Sequence, residues 1–360
     1  AAAHTVDLYG DGLLSIDVTK QVTTVPVGPD GKPATALVTN TGTILADGGS
    51  IVLTAKAVDG LVTTLVDAGG TLSAATKNGT AGRIVIGGTG GDVILSGLVA
   101  ARGDTPGAVG GQIEVNAPGH LVSLAGTAKV DASGQAGGGV VAIGTTLARA
   151  KGGPSITAPT AKNVAINSGA SIAADATTRG NGGVVVVLSH AVDGRGGATI
   201  YEGNITARGG AAGGNGGAAE VSGDYLQLAG AVNVLAPMGA AGSILLDPNS
   251  ISIVTDGKAK NITLTNPFDA TKTTTTLDYT QIDQLSGNVT LQATGSISMS
   301  GAMDLTAKDA AGNGPNVTGL TMLANEGIVI GAALKGSSDI TLVAGATYTD
   351  RDRVTQTGNA

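Results

Sequence analysis

Apolar and polar residues alternate along this chain in short runs, and glycine separates one run from the next. Between Gly203 and Asp247 the runs are Asn204-Ile-Thr-Ala207, Ala219-Glu-Val-Ser222, Val232-Asn-Val-Leu235 and Ser243-Ile-Leu-Leu246. The separators are Gly209-Gly210, Gly213 to Gly217 and Gly239 to Gly242. A period of two predicts strands, and strands this short bury too little to stand as isolated hairpins. A chain made of many such units buries them by coiling, each strand pairing with its counterpart one turn above and below. Glycines then occupy the corners, where a side chain would crowd the next turn. The expectation is an all-β, right-handed parallel β-helix carrying one or two short peripheral helices.

The unit Gly42-Thr-Ile-Leu-Ala-Asp-Gly-Gly-Ser-Ile-Val-Leu53 returns at Gly97 to Val115, Gly126 to Ile143, Gly169 to Leu188, Gly203 to Val221 and Gly230 to Leu246. Its uneven spacing implies loops inserted between coils. Residues 1–250 read as the glycine-rich shaft, and residues 251–360 as its continuation in more Thr-rich, irregular coils. Leu8 to Val18 reads as two strands around Gly10-Asp11-Gly12. Gln21 to Thr35, with three prolines, reads as a surface loop. Val58, Leu61, Val62, Leu65 and Val66 follow helical spacing and predict a short helix within Ala55 to Val66. One or two helical turns are expected within Leu277 to Leu285. Ala148 to Asn163 reads as a loop, as do Asp104 to Gly110, Asn266 to Thr276 and Asp309 to Gly319. At 20 to 25 residues per coil the rod would be on the order of 70 Å long.

Composition narrows the class. Gly 60 beside 42% hydrophobic residues is too apolar for a disordered linker, and the glycines lack the collagen period. Aromatic residues make up 2%, which suits a thin core of stacked aliphatics. A net charge of −7 without a Lys/Arg cluster argues against a nucleic-acid footprint. Cys 0 excludes disulfides and thiolate metal sites and agrees with export through an oxidising compartment. No 18-residue apolar run predicts a membrane span. The opening AAAHTVDLYG has no signal-peptide pattern and reads as a mature or excised segment.

Several stretches together resemble the filamentous haemagglutinin family, large exoproteins exported by two-partner secretion. They are Gly10-Asp-Gly-Leu-Leu-Ser-Ile-Asp-Val18, Ile44-Leu-Ala-Asp-Gly-Gly-Ser-Ile-Val-Leu-Thr-Ala-Lys-Ala57, Val130-Asp-Ala-Ser-Gly134, Gly203 to Gly223 and Leu245-Leu-Asp-Pro-Asn249. The co-linear series covers about residues 7 to 255, and more loosely extends to about 345. The resemblance implies secretion or cell-surface display, adhesion to host or neighbouring cells, glycans or matrix, and export through an outer-membrane transporter with POTRA domains. The family's N-terminal secretion domain would be represented only by its last coils before residue 20.

Three motifs carry candidate chemistry. Gly87-Gly-Thr-Gly-Gly-Asp-Val-Ile-Leu95 fits the calcium-binding nonapeptide, with Asp92 as ligand. Calcium rolls share each ion between tandem copies, and here the copy is single, so a plain coil corner is the simpler reading. Arg102-Gly103-Asp104 is an RGD tripeptide in a turn, the shape an integrin reads, yet Ala207-Arg-Gly-Gly210 repeats the Arg-Gly corner without the aspartate. Asn-x-Ser/Thr sequons stand at Asn78, Asn204, Asn261, Asn288 and Asn316. The acids Asp131, Asp175, Glu202, Glu220, Asp224 and Asp247 and the histidines His4, His120 and His190 are scattered, so no acid/base pair stands out. No enzyme and no cofactor is expected. The expected role is a structural and adhesive shaft, the alternatives being a passive stalk for a distal tip or toxin and a polysaccharide-active enzyme.

Overall fold

The computed structural model describes residues 20–28, 31–152, 159–191, 196–255, 273–306, 316–336 and 338–346. The strands expected over Leu8 to Val18 lie outside these residues, as do parts of the loops at Ala148 to Asn163, Asn266 to Thr276 and Asp309 to Gly319. The described chain is nearly all β and forms a parallel β-helix, each turn contributing one strand to each of three faces.

The first turn is β1 (Ala36–Asn40), β2 (Thr43–Leu45) and β3 (Ser50–Lys56). The second is β4 (Thr64–Ala68), β5 (Thr71–Ser73) and β6 (Arg83–Thr89), and the third β7 (Asp92–Leu95), β8 (Leu98–Ala100) and β9 (Gln112–Asn116). The fourth is β10 (Leu121–Leu124), β11 (Lys129–Asp131) and β12 (Val140–Ile143). A short helix α1 (Leu147–Ala150) precedes the fifth turn, β13 (Asn163–Ile166), β14 (Ser171–Ala173) and β15 (Val184–Leu188). Then come β16 (Ala198–Tyr201), β17 (Asn204–Thr206) and β18 (Ala218–Ser222), followed by β19 (Tyr225–Leu228), β20 (Ala231–Asn233) and β21 (Ser243–Asp247). The eighth turn holds β22 (Ser250–Val254), β23 (Thr274–Asp278), helix α2 (Tyr279–Ile282) and the long β24 (Leu285–Ala293). The last two are β25 (Ile297–Met299), β26 (Met303–Asp304), β27 (Val317–Ala324), and β28 (Ile328–Ile330), β29 (Leu334–Lys335), β30 (Ile340–Ala344).

Register follows directly from the alternation. On the third face Ile51, Ile84, Ile113, Val141, Val185, Ala219, Ile244, Val289 and Leu320 stand above one another, all buried. On the second, Leu72, Val99, Val130, Ile172, Ile205, Val232 and Leu285 do the same. A one-residue slip would turn a whole ladder outward, so each turn fixes the register of the next. Aliphatics fill this narrow interior, and the large aromatic Tyr201 enters it with its hydroxyl donating to the Ala231 carbonyl at 2.5 Å. Burial pushes that phenol well above the ordinary tyrosine range.

Four expectations need correction. Ala55 to Val66 is not helical: β3 runs to Lys56, a turn follows around Gly60 (φ +79°), and β4 starts at Thr64. Leu65 and Val66 are both buried because the pairing of β4 with β7 shifts register there, and adjacent buried apolar residues on a bulged strand imitate helical spacing. Ala148 to Asn163 begins inside α1, capped by Thr146, whose side chain accepts the Arg149 N–H. Thr274 to Thr276, expected in a loop, are in β23. Finally, the first-face strands begin at Ala36, Thr64, Asp92, Leu121, Asn163, Ala198 and Tyr225, so turns are longer than 20 to 25 residues. Nine steps of ~4.8 Å from β3 to β30 make the described coils about 43 Å long. The turn expected near Leu277 to Leu285 is α2, closed by a capping box between Asp278 and Gln281.

One departure from sequential stacking stands out. β22 pairs with β23 on one side and β25 on the other, while the Leu226 N–H on β19 donates to Thr275 Oγ1 on β23 at 2.9 Å. The later strand β23 therefore lies between β19 and the earlier β22, adding a strand to this face alone.

Candidate functional site

Consider first the residues that the sequence singled out. Gly103 bridges to Gly134 in the next turn, and its N–H donates to the Ser133 carbonyl at 2.9 Å. Arg102 Nε donates to Asp104 Oδ1 at 2.9 Å, and its Nη1 donates to Asp131 on β11. Partial burial pulls the Arg102 guanidinium down, but the Asp131 charge and hydrogen bonds to Asp104 and Asp131 outweigh it and hold its pKa above the ordinary value. Arg208 repeats the arrangement against Asp175, with its Nη2 2.7 Å from Oδ2. Arg-Gly is thus corner chemistry in both places, tying one turn to a carboxylate of its neighbour. At the tripeptide, Arg102 and Asp104 close on each other, so offering both to a receptor requires opening two ion pairs.

Asp92 opens β7, and its Oδ1 accepts the Leu121 N–H at 3.1 Å, linking two turns. Among the described residues no group of three or more His, Cys, Asp and Glu is placed to hold a metal ion. Scattered acids do find partners. Asp224 accepts the N–H groups of Ala191 and Gly197 and lies 3.1 Å from His190 Nδ1, which pins the crossing from β15 to β16. These groups are tens of residues apart, and only the coil register brings them together.

A larger feature lies on the outer surface of the third face. One outward row reads Glu114, Ala142, Val186, Glu220, Leu245, Thr290 and Thr321 on successive strands from β9 to β27. Helix α1 crosses this row. The N–H of Leu147 donates to Glu114 Oε2 at 2.9 Å. Leu147 and Ala150 pack on Ala142, Val186 and Leu188 in a small second core outside the coil. At the far end Arg149 makes a two-pronged pair with Glu220, at 2.9 Å and 2.8 Å, and both side chains are buried. A four-residue helix has little stability of its own. Burying Leu147 contributes about 2 kcal/mol, and the two glutamates hold its ends.

Beyond the Arg149–Glu220 pair the same face opens into a groove of about 540 Å³, with Val184, Val186, Ala218, Leu245 and Leu323 as its apolar lining. Its polar members are Glu220, Ser243, Thr290 and Gln292. Gln292 is fully buried; its Nε2 donates to Asp247 Oδ2 at 3.2 Å, and its Oε1 has no hydrogen-bond partner among the described residues. The sequence carried one sign of this groove, apolar residues at outward positions of β15 and β21, where a solvent-facing strand would place polar ones. An open apolar groove with a few converging polar groups is a ligand-binding geometry. Compared with protein-family models and with curated proteins, the sequence has no match.

Proposed function

We propose that this chain is part of a secreted or surface-displayed shaft of the filamentous haemagglutinin kind, one that attaches to cells or matrix through its outer faces. The observation that carries this reading is the third face: a register-locked stack that exposes a preformed groove beside an ion-paired helix. Rigid parallel coils hold their outer surface without reorganisation on binding, which keeps the ordering cost of attachment low. Export through a POTRA-bearing outer-membrane transporter and the absence of catalysis belong to the same reading.

The test is binding of the purified chain to intact cells and to a panel of polysaccharides and matrix proteins, with product release followed in the same wells. Saturable binding without turnover is expected. Product release would replace the reading with a glycan-active enzyme. Neither binding nor release would reduce the segment to a passive stalk.

A further inference from the structure

Asn-Gly steps occur at Asn78-Gly79, Asn181-Gly182, Asn215-Gly216 and Asn313-Gly314. The last lies outside the described residues. The other three asparagines are all exposed, so exposure does not set one apart. Their hydrogen bonds do. At Asn181, Oδ1 accepts the Asn215 N–H at 2.8 Å, and the Gly182 N–H donates to the Asn215 carbonyl at 2.9 Å. At Asn215, Oδ1 accepts the Ala240 N–H at 3.0 Å, and the Gly216 N–H donates to the Ala240 carbonyl at 2.9 Å. In both steps the side chain and the following amide are tied to the next turn.

Asn78-Gly79 has no such tie. Lys77 and Thr80 form an antiparallel bridge around it, with N–H to carbonyl bonds of 3.0 Å and 2.9 Å. Asn78 (φ +52°) and Gly79 (φ +78°) are both left-handed, as a two-residue type I′ hairpin turn requires. Neither the Asn78 side chain nor the Gly79 N–H has a hydrogen-bond partner among the described residues. A Cβ on Gly79 would meet nothing within 4 Å. The base of the loop is pinned: the Thr76 N–H donates to the Arg102 carbonyl and its Oγ1 to the Val109 carbonyl, both at 2.7 Å. The connection from β5 to β6 therefore carries an open turn on a fixed base.

We infer that Asn78 is a site of spontaneous covalent modification, closing with Gly79 to a succinimide that water opens to isoaspartate or aspartate. Gly79 N loses its proton to solvent base and bonds to Asn78 Cγ. The Cγ–Nδ2 bond breaks, and Nδ2 takes up a proton and leaves as ammonia. Water then cleaves one of the two ring C–N bonds. Cleavage at the main-chain carbonyl leaves the backbone running through Cβ and Cγ, which is isoaspartate; cleavage at Cγ gives aspartate. The sum is one water in and one ammonia out, with nothing oxidised or reduced. Glycine leaves the attacking nitrogen unshielded, and a bonded amide, as at Gly182 and Gly216, would first have to open. The product carries a new carboxylate next to Lys77 and erases the Asn78-Gly79-Thr80 sequon.

The full chain is held in mildly alkaline buffer, sampled over days and digested briefly with trypsin. Cleavage after Lys77, Arg83, Arg179, Arg195 and Arg208 puts the three sites in separate peptides. Mass spectrometry then reads conversion at each asparagine, with electron-transfer fragmentation separating isoaspartate from aspartate. Asn78 is expected to convert at least about tenfold faster than Asn181 and Asn215, which must first open their bonds to the next turn. Isoaspartate is the expected main product. In urea sufficient to unfold the chain, the three rates should converge, because the sequence step is the same and only the fold distinguishes them. Comparable rates at all three sites in the folded chain, no isoaspartate at Asn78, or a difference that persists in urea would each overturn the assignment.

Discussion

Replacing Arg149 with methionine keeps most of the side-chain volume and leaves the Glu220 carboxylate under α1 with no counter-charge. The two side chains are 2% and 6% exposed and share two hydrogen bonds. Removing one partner of a buried pair costs about 3–5 kcal/mol. The chain has an escape, because lifting α1 returns Glu220 to water. Lifting it forfeits the burial of Leu147, about 2 kcal/mol, and the Thr146 cap, about 1 kcal/mol. It also forfeits the bond from Leu147 N–H to the Glu114 carboxylate, about 1.5–3 kcal/mol. The ceiling set by escape is thus about 5 kcal/mol, close to the direct cost, and Arg149→Met should detach the helix rather than unfold the rod. Hydrogen exchange reads this locally. The amides of Ala150, Lys151 and Gly152 bond within the helix and its cap, and their protection should fall by about a hundredfold or more. The double variant Arg149→Met/Glu220→Leu removes the stranded charge and should recover most of that protection. A fall of less than tenfold in the single variant, or a double variant no better than the single, would refute the reasoning.

Three further outcomes follow from the packing. Ile113→Ala opens a cavity in the middle of a fully buried ladder and should cost about 2–5 kcal/mol, seen as a lower denaturant midpoint. A Cβ on Gly110 would lie 1.7 Å from the Ala132 carbonyl oxygen, whereas one on Gly107 (φ +81°) meets nothing within 4 Å. Gly110→Ala should therefore yield little folded protein, while Gly107→Ala should lose only about 1 kcal/mol by thermal melting. Burial holds the Asp283 carboxyl above the ordinary aspartate range, so the folded state keeps that proton longer than the unfolded one. Its contribution to stability is greatest below the unfolded pKa and is lost as pH rises through the folded one. Asp283→Asn should raise the melting temperature at pH 7 and leave it unchanged at pH 3; the reverse ordering would contradict the assignment.

Period-two alternation and glycine punctuation are local signals, and they made the coil architecture legible from sequence. The recurrence of Arg-Gly at Arg102 and Arg208 likewise pointed to corner chemistry, which the pairs with Asp131 and Asp175 explain. What sequence hid was set by contacts between turns. Arg149 and Glu220 are 71 residues apart, and neither has a neighbour in sequence that announces the other. Helix α1 has too few residues for a periodic pattern, and its stability comes from the strands beneath it. The placement of β23 between β19 and β22 reverses chain order, which no run of apolar residues encodes. At Ala55 to Val66, a strand end, a turn and a bulged strand start combined into helical spacing by accident of register.

The Arg-Gly corners, helix α1 and the groove all depend on consecutive turns standing in the stated register, and cross-linking tests that most directly. The chain has Cys 0, so introduced pairs report without background. Ser243→Cys with Asn288→Cys joins register partners on β21 and β24, and Ser252→Cys with Thr276→Cys joins β22 to the displaced β23. Adjacent strands are ~4.8 Å apart, inside the disulfide range, whereas Ala218→Cys with Asn288→Cys skips a strand at about 10 Å. Under mild oxidation the first two pairs should close rapidly and the third should not. Closure of the skipping pair at a similar rate, or failure of the register pairs in folded protein, would contradict the stacked-coil account.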